Sequence, residues 1–325
     1  MSTRKFKGLL RWESMLALVL VIEFVSFASL SPYFLDVWTL SDATFNFTER
    51  AVIALPLALL IIAGEIDISV AAIIALSSVA MGLAAAMGVQ TSGLVAIGLS
   101  TGLAAGMVNG ALVTLGRVPS IVATIGTMTL FRGVAYAVLG DRVLKEYPQA
   151  FSVFGQGYAV GALSIELTVL MVLAVVFGLF LHVTRWGRSI YALGANPIAA
   201  KWSGVPVDRY RFALFAVTGL CSGLAAVLLT SRLGSTRPSI AQGWELEIIS
   251  MVILGGVSVW GGKGTIPGVL LAAVVLGLVN FGLGLLNVPG IVMSIIVGAL
   301  LITVVAIPVI AERWWGRPAT VGRKA

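Results

Sequence analysis

RWGRSIYALGANPIAAKWSGVPVDRYR, residues 185–211, is a long polar segment between two apolar runs that are each long enough to cross a bilayer. Its five basic side chains are Arg185, Arg188, Lys201, Arg209 and Arg211. Asn196 is a favoured residue at a helix N-cap and Pro197 at the first helical position, while Gly204 can end a helix and Pro206 cannot continue one. The segment therefore predicts a short helix presented at a membrane surface.

The composition around this segment is that of a polytopic membrane protein. Of the 325 residues, 59% are hydrophobic and 11% are charged, whereas soluble domains carry about 25% charged residues. The apolar runs lie at 14–31, 45–63, 70–88, 93–115, 119–139, 166–183, 211–231, 246–261, 266–286 and 289–310. We predict an all-α bundle of about ten transmembrane helices, forming a single domain over residues 1–325.

The basic residues predict the orientation of this bundle. With the N-terminus inside, fifteen basic residues fall in inner segments: Arg4, Lys5, Lys7, Arg11, Arg117, the five of residues 185–211, Lys263, Arg313, Arg317, Arg323 and Lys324. Five fall in outer segments: Arg50, Arg142, Lys145, Arg232 and Arg237. This excess predicts that both termini and residues 185–211 are cytoplasmic, and it gives no reason to expect a nucleic-acid partner. No A-x-A site follows the first apolar run, so we expect that run to be retained as an anchor.

A short pattern occurs twice along the chain. Gly106-Met107-Val108-Asn109 leads to Val118-Pro119, and Gly277-Leu278-Val279-Asn280 leads to Val288-Pro289. In the predicted topology the first copy runs inward and the second outward, which is typical of an inverted-topology repeat. Chance similarity between apolar segments rich in Gly and Val is the alternative. Gly98, Gly102, Gly106 and Gly110 also predict a ridge where another helix packs closely.

Residues for covalent chemistry are scarce in this chain. His182 is the only histidine and Cys221 the only cysteine, which argues against a metal centre or a disulfide. Residues 261–265, GGKGT, lack the glycine spacing of a phosphate-binding loop and have Gly264 directly after Lys263. We therefore expect no catalytic residue, no metal and no cofactor in this chain. If ATP is used, another chain binds it.

Polar residues in or beside the apolar runs are candidates for a transport pathway or gate. Glu65 and Asp67 lie between the second and third runs, where Asp67 can cap a helix or the acids can form a gate. Thr124, Thr127 and Asn280 suit the lining of a path for a neutral polar solute. Their alternative role is hydrogen bonding within their own helices.

Two charges lie deep in apolar runs, where an ionised group is costly unless it is paired or faces a cavity. These are Glu23 in the first run and Arg132 in the fifth. We predict that they form an intramembrane ion pair. The alternative is that one of them lines the substrate path.

Several long segments together resemble one protein family. They are GEIDISVAAIIALSS (64–78), GANPIAAKWSGVPVDRYRF (194–212), SRLGSTRPSIAQGWELEIISMVILGGVSVWGGKGTIPG (231–268) and GLVN (277–280). The chain resembles the ribose-type permeases of bacterial ABC sugar importers, and within them the rhamnose and autoinducer-2 permeases. Glu65 and Ala71 stand where the family usually has glycine, so the substrate residues of the ribose permease do not transfer directly.

The resemblance implies a multi-pass permease of the bacterial inner membrane that imports a neutral sugar by alternating access. Its implied partners are a cytoplasmic ATPase that holds ATP and Mg²⁺, a periplasmic sugar-binding protein, and a second permease copy or paralogue. The implied coupling residues for the ATPase are Asn196, Pro197, Ala199, Ala200 and Gly204. We predict that Arg142, Arg232 and Arg237 contact acidic residues of the binding protein; contact with lipid headgroups or local pairing is the alternative. A standalone secondary transporter of a polar solute is the alternative function.

Overall fold

The computed structural model describes residues 12–45, 47–293, 295, 296, 298, 299 and 302. The predicted basic stretch from Arg4 to Arg11 and the tail from Glu312 lie outside the described residues, as does most of the last apolar run. The described chain is almost entirely helical, as predicted. Its helices are α1 (Trp12–Leu30), α2 (Val37–Thr44), α3 (Thr48–Ile62), α4 (Val70–Ala86), α5 (Thr91–Thr114), α6 (Ser120–Leu139), α7 (Val153–Gln156), α8 (Ile165–Val183), α9 (Arg185–Ala195), α10 (Pro197–Trp202), α11 (Val207–Leu233), α12 (Trp244–Leu254) and α13 (Ile266–Leu285).

Six of the described helices are long and apolar enough to span a membrane by themselves: α1, α5, α6, α8, α11 and α13. The number is seven if α2 and α3, which are bent by 46°, form one broken span. The predicted number of about ten, the orientation and the inverted repeat remain predictions. The apolar run 246–261 is helical only to Leu254, because Gly255 and Gly256 begin a series of turns.

The segment between α6 and α8 contains the small non-helical part of the fold. A 3₁₀ turn (Gln149–Ser152) leads into α7, followed by an antiparallel hairpin of β1 (Tyr158–Val160) and β2 (Leu163–Ser164). The Ser41 hydroxyl donates to the Ala162 carbonyl, and Tyr158 donates to Asp42 over 3.2 Å. These bonds place α2 and the hairpin at one end of the bundle, together with the Leu144–Thr236 bridge beside α6 and α11.

The most extensive helix packing in the described part of the bundle is between α5 and α11. A Cβ atom added at Gly102 would lie 2.4 Å from the Gly219 carbonyl oxygen and 2.6 Å from the Gly223 Cα. One added at Gly106 would lie 2.4 Å from the Phe215 carbonyl oxygen. Backbone therefore meets backbone along this contact, as the glycine ridge predicts.

The predicted pair of Glu23 and Arg132 is not formed. Arg132 on α6 donates to the carbonyl oxygens of Pro238 and Ile240, each over 2.7 Å, and to that of Ala71 over 3.2 Å. These carbonyls lie where α4 begins and in the irregular segment before α12. These carbonyl oxygens accept the hydrogen bonds of the Arg132 guanidinium, so its donors are satisfied without a carboxylate. Both Glu23 carboxyl oxygens are buried with no hydrogen-bond partner among the described residues.

Arg232, one of the predicted docking residues, forms an ion pair within its own chain, in line with the alternative of local pairing, and its docking role stays a prediction. Its Nε lies 2.6 Å from Oε1 of Glu49, a fully buried residue at the start of α3. Glu166 on α8, also fully buried, interacts electrostatically with both groups. Of the other two predicted docking residues, Arg237 is exposed, and exposed Arg142 donates to the Leu139 carbonyl over 3.2 Å.

We expect Gly102→Ala to destabilise the protein by about 1–3 kcal/mol, because the added methyl group forces two backbones apart. Gly126→Ala is the control, since a Cβ atom there has nothing within 4 Å. Thermal unfolding of the purified chain in detergent measures both. Equal melting temperatures for the two variants would contradict the packing account.

Arg232→Gln should lower the free energy of unfolding by about 3–5 kcal/mol, because Glu49 would stay buried without the arginine that it pairs with. A second substitution, Glu49→Gln, should recover part of that loss by removing the unpaired charge. Arg237→Gln removes an exposed arginine five residues away and serves as the control. If Arg232→Gln and Arg237→Gln unfold at the same temperature, the ion pair is not structurally important.

Candidate functional site

Four segments meet at the end of the bundle opposite the hairpin. We call them the basic face: residues 62–69, 114–120, 185–211 and 255–265. The Gly262 amide donates to the Ile62 carbonyl over 2.8 Å, and the Tyr191 hydroxyl donates to the Gly264 carbonyl over 2.7 Å. The Ile66 amide faces the Ser120 hydroxyl at 3.4 Å. The polar segment identified first in the sequence is thus joined to the break between α3 and α4.

The predicted short helix is present within residues 185–211. The Asn196 side chain accepts a hydrogen bond from the Ala199 amide over 3.0 Å and caps α10, whose first residue is Pro197. Gly204 follows the helix with φ of +84°, a conformation in which glycine is favoured. A second helix, α9, precedes α10 and was not predicted.

The side chains of α10 divide into an inward and an outward set. Ala200 is buried against its own chain, so its predicted role in direct docking is corrected to packing within the protein. Ala199 and two large apolar residues, Ile198 and Trp202, are exposed, the last two by 70% and 87%. Because Ile198 and Trp202 are four residues apart, they share one helix face. An exposed apolar pair on a short helix is typical of a protein contact surface.

Glu65 connects the α3–α4 break to the helix that follows α10. Its Oε1 lies 2.7 Å from Nε of Arg211, in an ion pair where the glutamate side chain is only 9% exposed. Arg211 is on α11, within the first two turns after the α10 segment. The ion pair therefore links the start of α11 to the α3–α4 break. The two residues were each visible in the sequence, but their pairing was not.

Asp67 is the centre of a buried polar cluster. Its Oδ1 accepts from the Ser69 amide over 2.8 Å and from the Ser69 hydroxyl over 2.7 Å, while Oδ2 faces the Asn109 amide group at 3.2 Å. Burial raises the pKa of the Asp67 carboxyl, and the bonds from Ser69 and Asn109 oppose that rise. Sequence reasoning did not select Asn109 as a site residue, although it is a polar residue inside the glycine ridge.

The predicted pathway residues are only partly brought together. The Thr124 hydroxyl donates to the Ser120 carbonyl over 2.8 Å and lies 3.4 Å from the Ile66 carbonyl in the break. Thr127 donates to the Thr124 carbonyl over 3.3 Å, so both threonines bond within α6. Asn280, half-buried on α13, makes no side-chain hydrogen bond to either threonine. The described residues contain no group of three or more side chains suited to a metal ion.

Comparisons with known proteins identify the family of this chain. Residues 40–305 match the family described as branched-chain amino acid transport system / permease component. The autoinducer 2 import system permease protein LsrD of Escherichia coli O157:H7 is 37% identical over 300 residues, which cover 90% of this chain and 91% of that protein. The LsrD proteins of Escherichia coli K12 and Shigella flexneri match to the same extent.

No solved structure matches this chain. The family match covers most of the chain, and the relatives are aligned over nearly their whole length. The chain therefore belongs to the family of multi-pass permease components of ABC transporters.

Proposed function

We propose that this chain is the permease subunit of a bacterial inner-membrane importer for a neutral sugar-like solute of the autoinducer 2, rhamnose or ribose type. The observation that carries the proposal is the 37% identity to an autoinducer 2 import permease over 90% of this chain. A separate ATPase holds ATP and Mg²⁺ and supplies the energy. A periplasmic binding protein delivers the solute, and a second permease copy or paralogue completes the pathway.

We propose that the basic face is cytoplasmic and that both termini are inside. Seven basic residues of the described chain lie on it: Arg117, Arg185, Arg188, Lys201, Arg209, Arg211 and Lys263. An excess of Lys and Arg in short loops favours the cytoplasmic side. Hydrogen bonds support the grouping, since Trp12 at the start of α1 donates to the Leu254 carbonyl over 2.6 Å. The start of α1 is thus on the same side as the end of α12.

The proposed mechanism is alternating access driven through α10. ATP binding and hydrolysis in the partner displace α10, and the start of α11 moves with it. The Glu65–Arg211 ion pair transfers that displacement to the α3–α4 break, where Asp67 and Thr124 are positioned by neighbouring helices. Rearrangement of the break opens or closes the cytoplasmic side of the path. The permease contributes no covalent chemistry.

The docking role of α10 is tested by Ile198→Glu/Trp202→Glu. We expect loss of ATPase co-purification by roughly thirtyfold or more, because removing two central apolar contacts costs 2 kcal/mol or more. The control is Val160→Glu, which places the same charge at a 78%-exposed position on the hairpin.

The alternative function is tested in vesicles that contain only this chain. Solute uptake driven by a proton or sodium gradient, without the ATPase, would establish a secondary transporter.

The transfer role of Glu65 and Arg211 is tested by a double-mutant cycle. Glu65→Gln and Arg211→Gln should each lower the transport rate and destabilise the protein by about 1–3 kcal/mol, because each leaves a partly buried charge without its partner. The exchanged pair Glu65→Arg/Arg211→Glu should recover stability if its geometry permits a bridge. Transport that falls while ATP hydrolysis continues identifies uncoupling. Fully additive effects of the two Gln substitutions on transport would contradict direct transfer between the residues.

A further inference from the structure

A large cavity opens on the basic face between α10 and the turn that joins α5 to α6. Its volume is about 1080 Å³. Val113 at the end of α5, Ser120 at the start of α6 and Val207 at the start of α11 all line it. These residues lie at the ends of three long apolar helices, which is where a membrane span meets the headgroup region.

Basic groups dominate the charged lining of this cavity. Arg117, Lys201 and Arg209 are exposed and form no ion pair within the described part of the chain, whereas Arg211 is paired with Glu65. Asp208 is the remaining acidic residue of the lining. The cavity therefore has an excess of positive charge.

Apart from Thr114 and Ser120, the uncharged lining is apolar, and it continues onto an apolar surface. Val118 and Val205 form part of the wall. Next to the cavity, Leu115 is 81% exposed and Val122 is 61% exposed, on the turn and the first helical turn of α6. A ligand with an anionic head and apolar chains matches both parts, because the head can meet the cations while the chains follow these residues.

We propose that this cavity binds the headgroup of an anionic phospholipid from the cytoplasmic leaflet. The lipid phosphate faces Arg117, Lys201 and Arg209, and the acyl chains lie against Leu115 and Val122. Basic pockets between membrane helices on the cytoplasmic side suit such headgroups. Because α10 forms one wall, the bound lipid holds α10 against the α5–α6 turn. Anionic lipid content thereby influences how α10 is presented to the ATPase.

The test uses the full chain in detergent and native mass spectrometry with phosphatidylglycerol and phosphatidylcholine of identical acyl chains. We expect one phosphatidylglycerol molecule to be retained in preference to phosphatidylcholine. Each basic side chain near an anionic lipid is worth roughly a factor of five in affinity. Lys201→Gln/Arg209→Gln should therefore weaken phosphatidylglycerol retention about twenty-fivefold.

The matched control is Arg185→Gln/Arg188→Gln, which removes two exposed bases from the same polar segment but outside the cavity. Unchanged retention in this control supports the site, whereas an equal loss in both doubles reveals general charge attraction and overturns it. Glycerol phosphate and inorganic phosphate are added at the same concentration as the lipid. If either displaces phosphatidylglycerol, the site binds a soluble phosphate rather than a lipid, and the proposal is overturned.

The ATPase provides a separate readout. With all lipid removed, Arg117→Gln/Arg209→Gln, which removes two of the same cavity cations and leaves α10 unaltered, should associate with the ATPase as the unmodified chain does. Loss of that association without lipid would make the cavity a protein-docking surface and would contradict the proposal. Lipid selectivity does not require transport, so it can hold or fail independently of the proposed import function.

Discussion

The structure depends on the backbone contact between α5 and α11. In a bilayer, apolar side chains gain little by leaving lipid for protein, so helices associate through close packing and hydrogen bonds. Gly102, Gly106 and Gly219 allow the two helices to approach until backbone atoms touch. The elements that carry the proposed function are attached to this pair. Asn109, which bonds to the Asp67 cluster, lies on α5, and α11 begins directly after the α10 segment.

Features with a local sequence signal were predicted well. The Asn196–Pro197 cap, the end at Gly204 and the glycine ridge each depend on residues close together in the chain, and all are present. The apolar runs predict helices for the same reason. The length of α12 was not predictable, because Gly255 and Gly256 lie within an apolar run and hydropathy alone does not locate the end of a helix.

Interactions between distant segments were not predictable in the same way. The sequence shows that Glu23, Arg132 and Arg232 are costly in an apolar environment, but it does not show which groups compensate for that cost. Arg132 is satisfied by carbonyl oxygens, and the backbone acceptors that it uses have no side-chain signal. Arg232 is satisfied by Glu49 on another helix. Which residues of α10 are exposed likewise depends on how this helix lies against the bundle, so the sequence did not show that Ile198 is exposed and Ala200 buried.

The hydrogen bonds of Arg132 have a consequence for leakage across the membrane. One guanidinium bonds to Ala71, just after the α3–α4 break, and to Pro238 and Ile240, in the irregular segment before α12. If both segments moved away from Arg132 together, the guanidinium would lose all three of these hydrogen bonds in a low-dielectric region, at a cost of several kcal/mol. This cost disfavours a continuous open channel, in which ions would flow down their gradients during solute uptake.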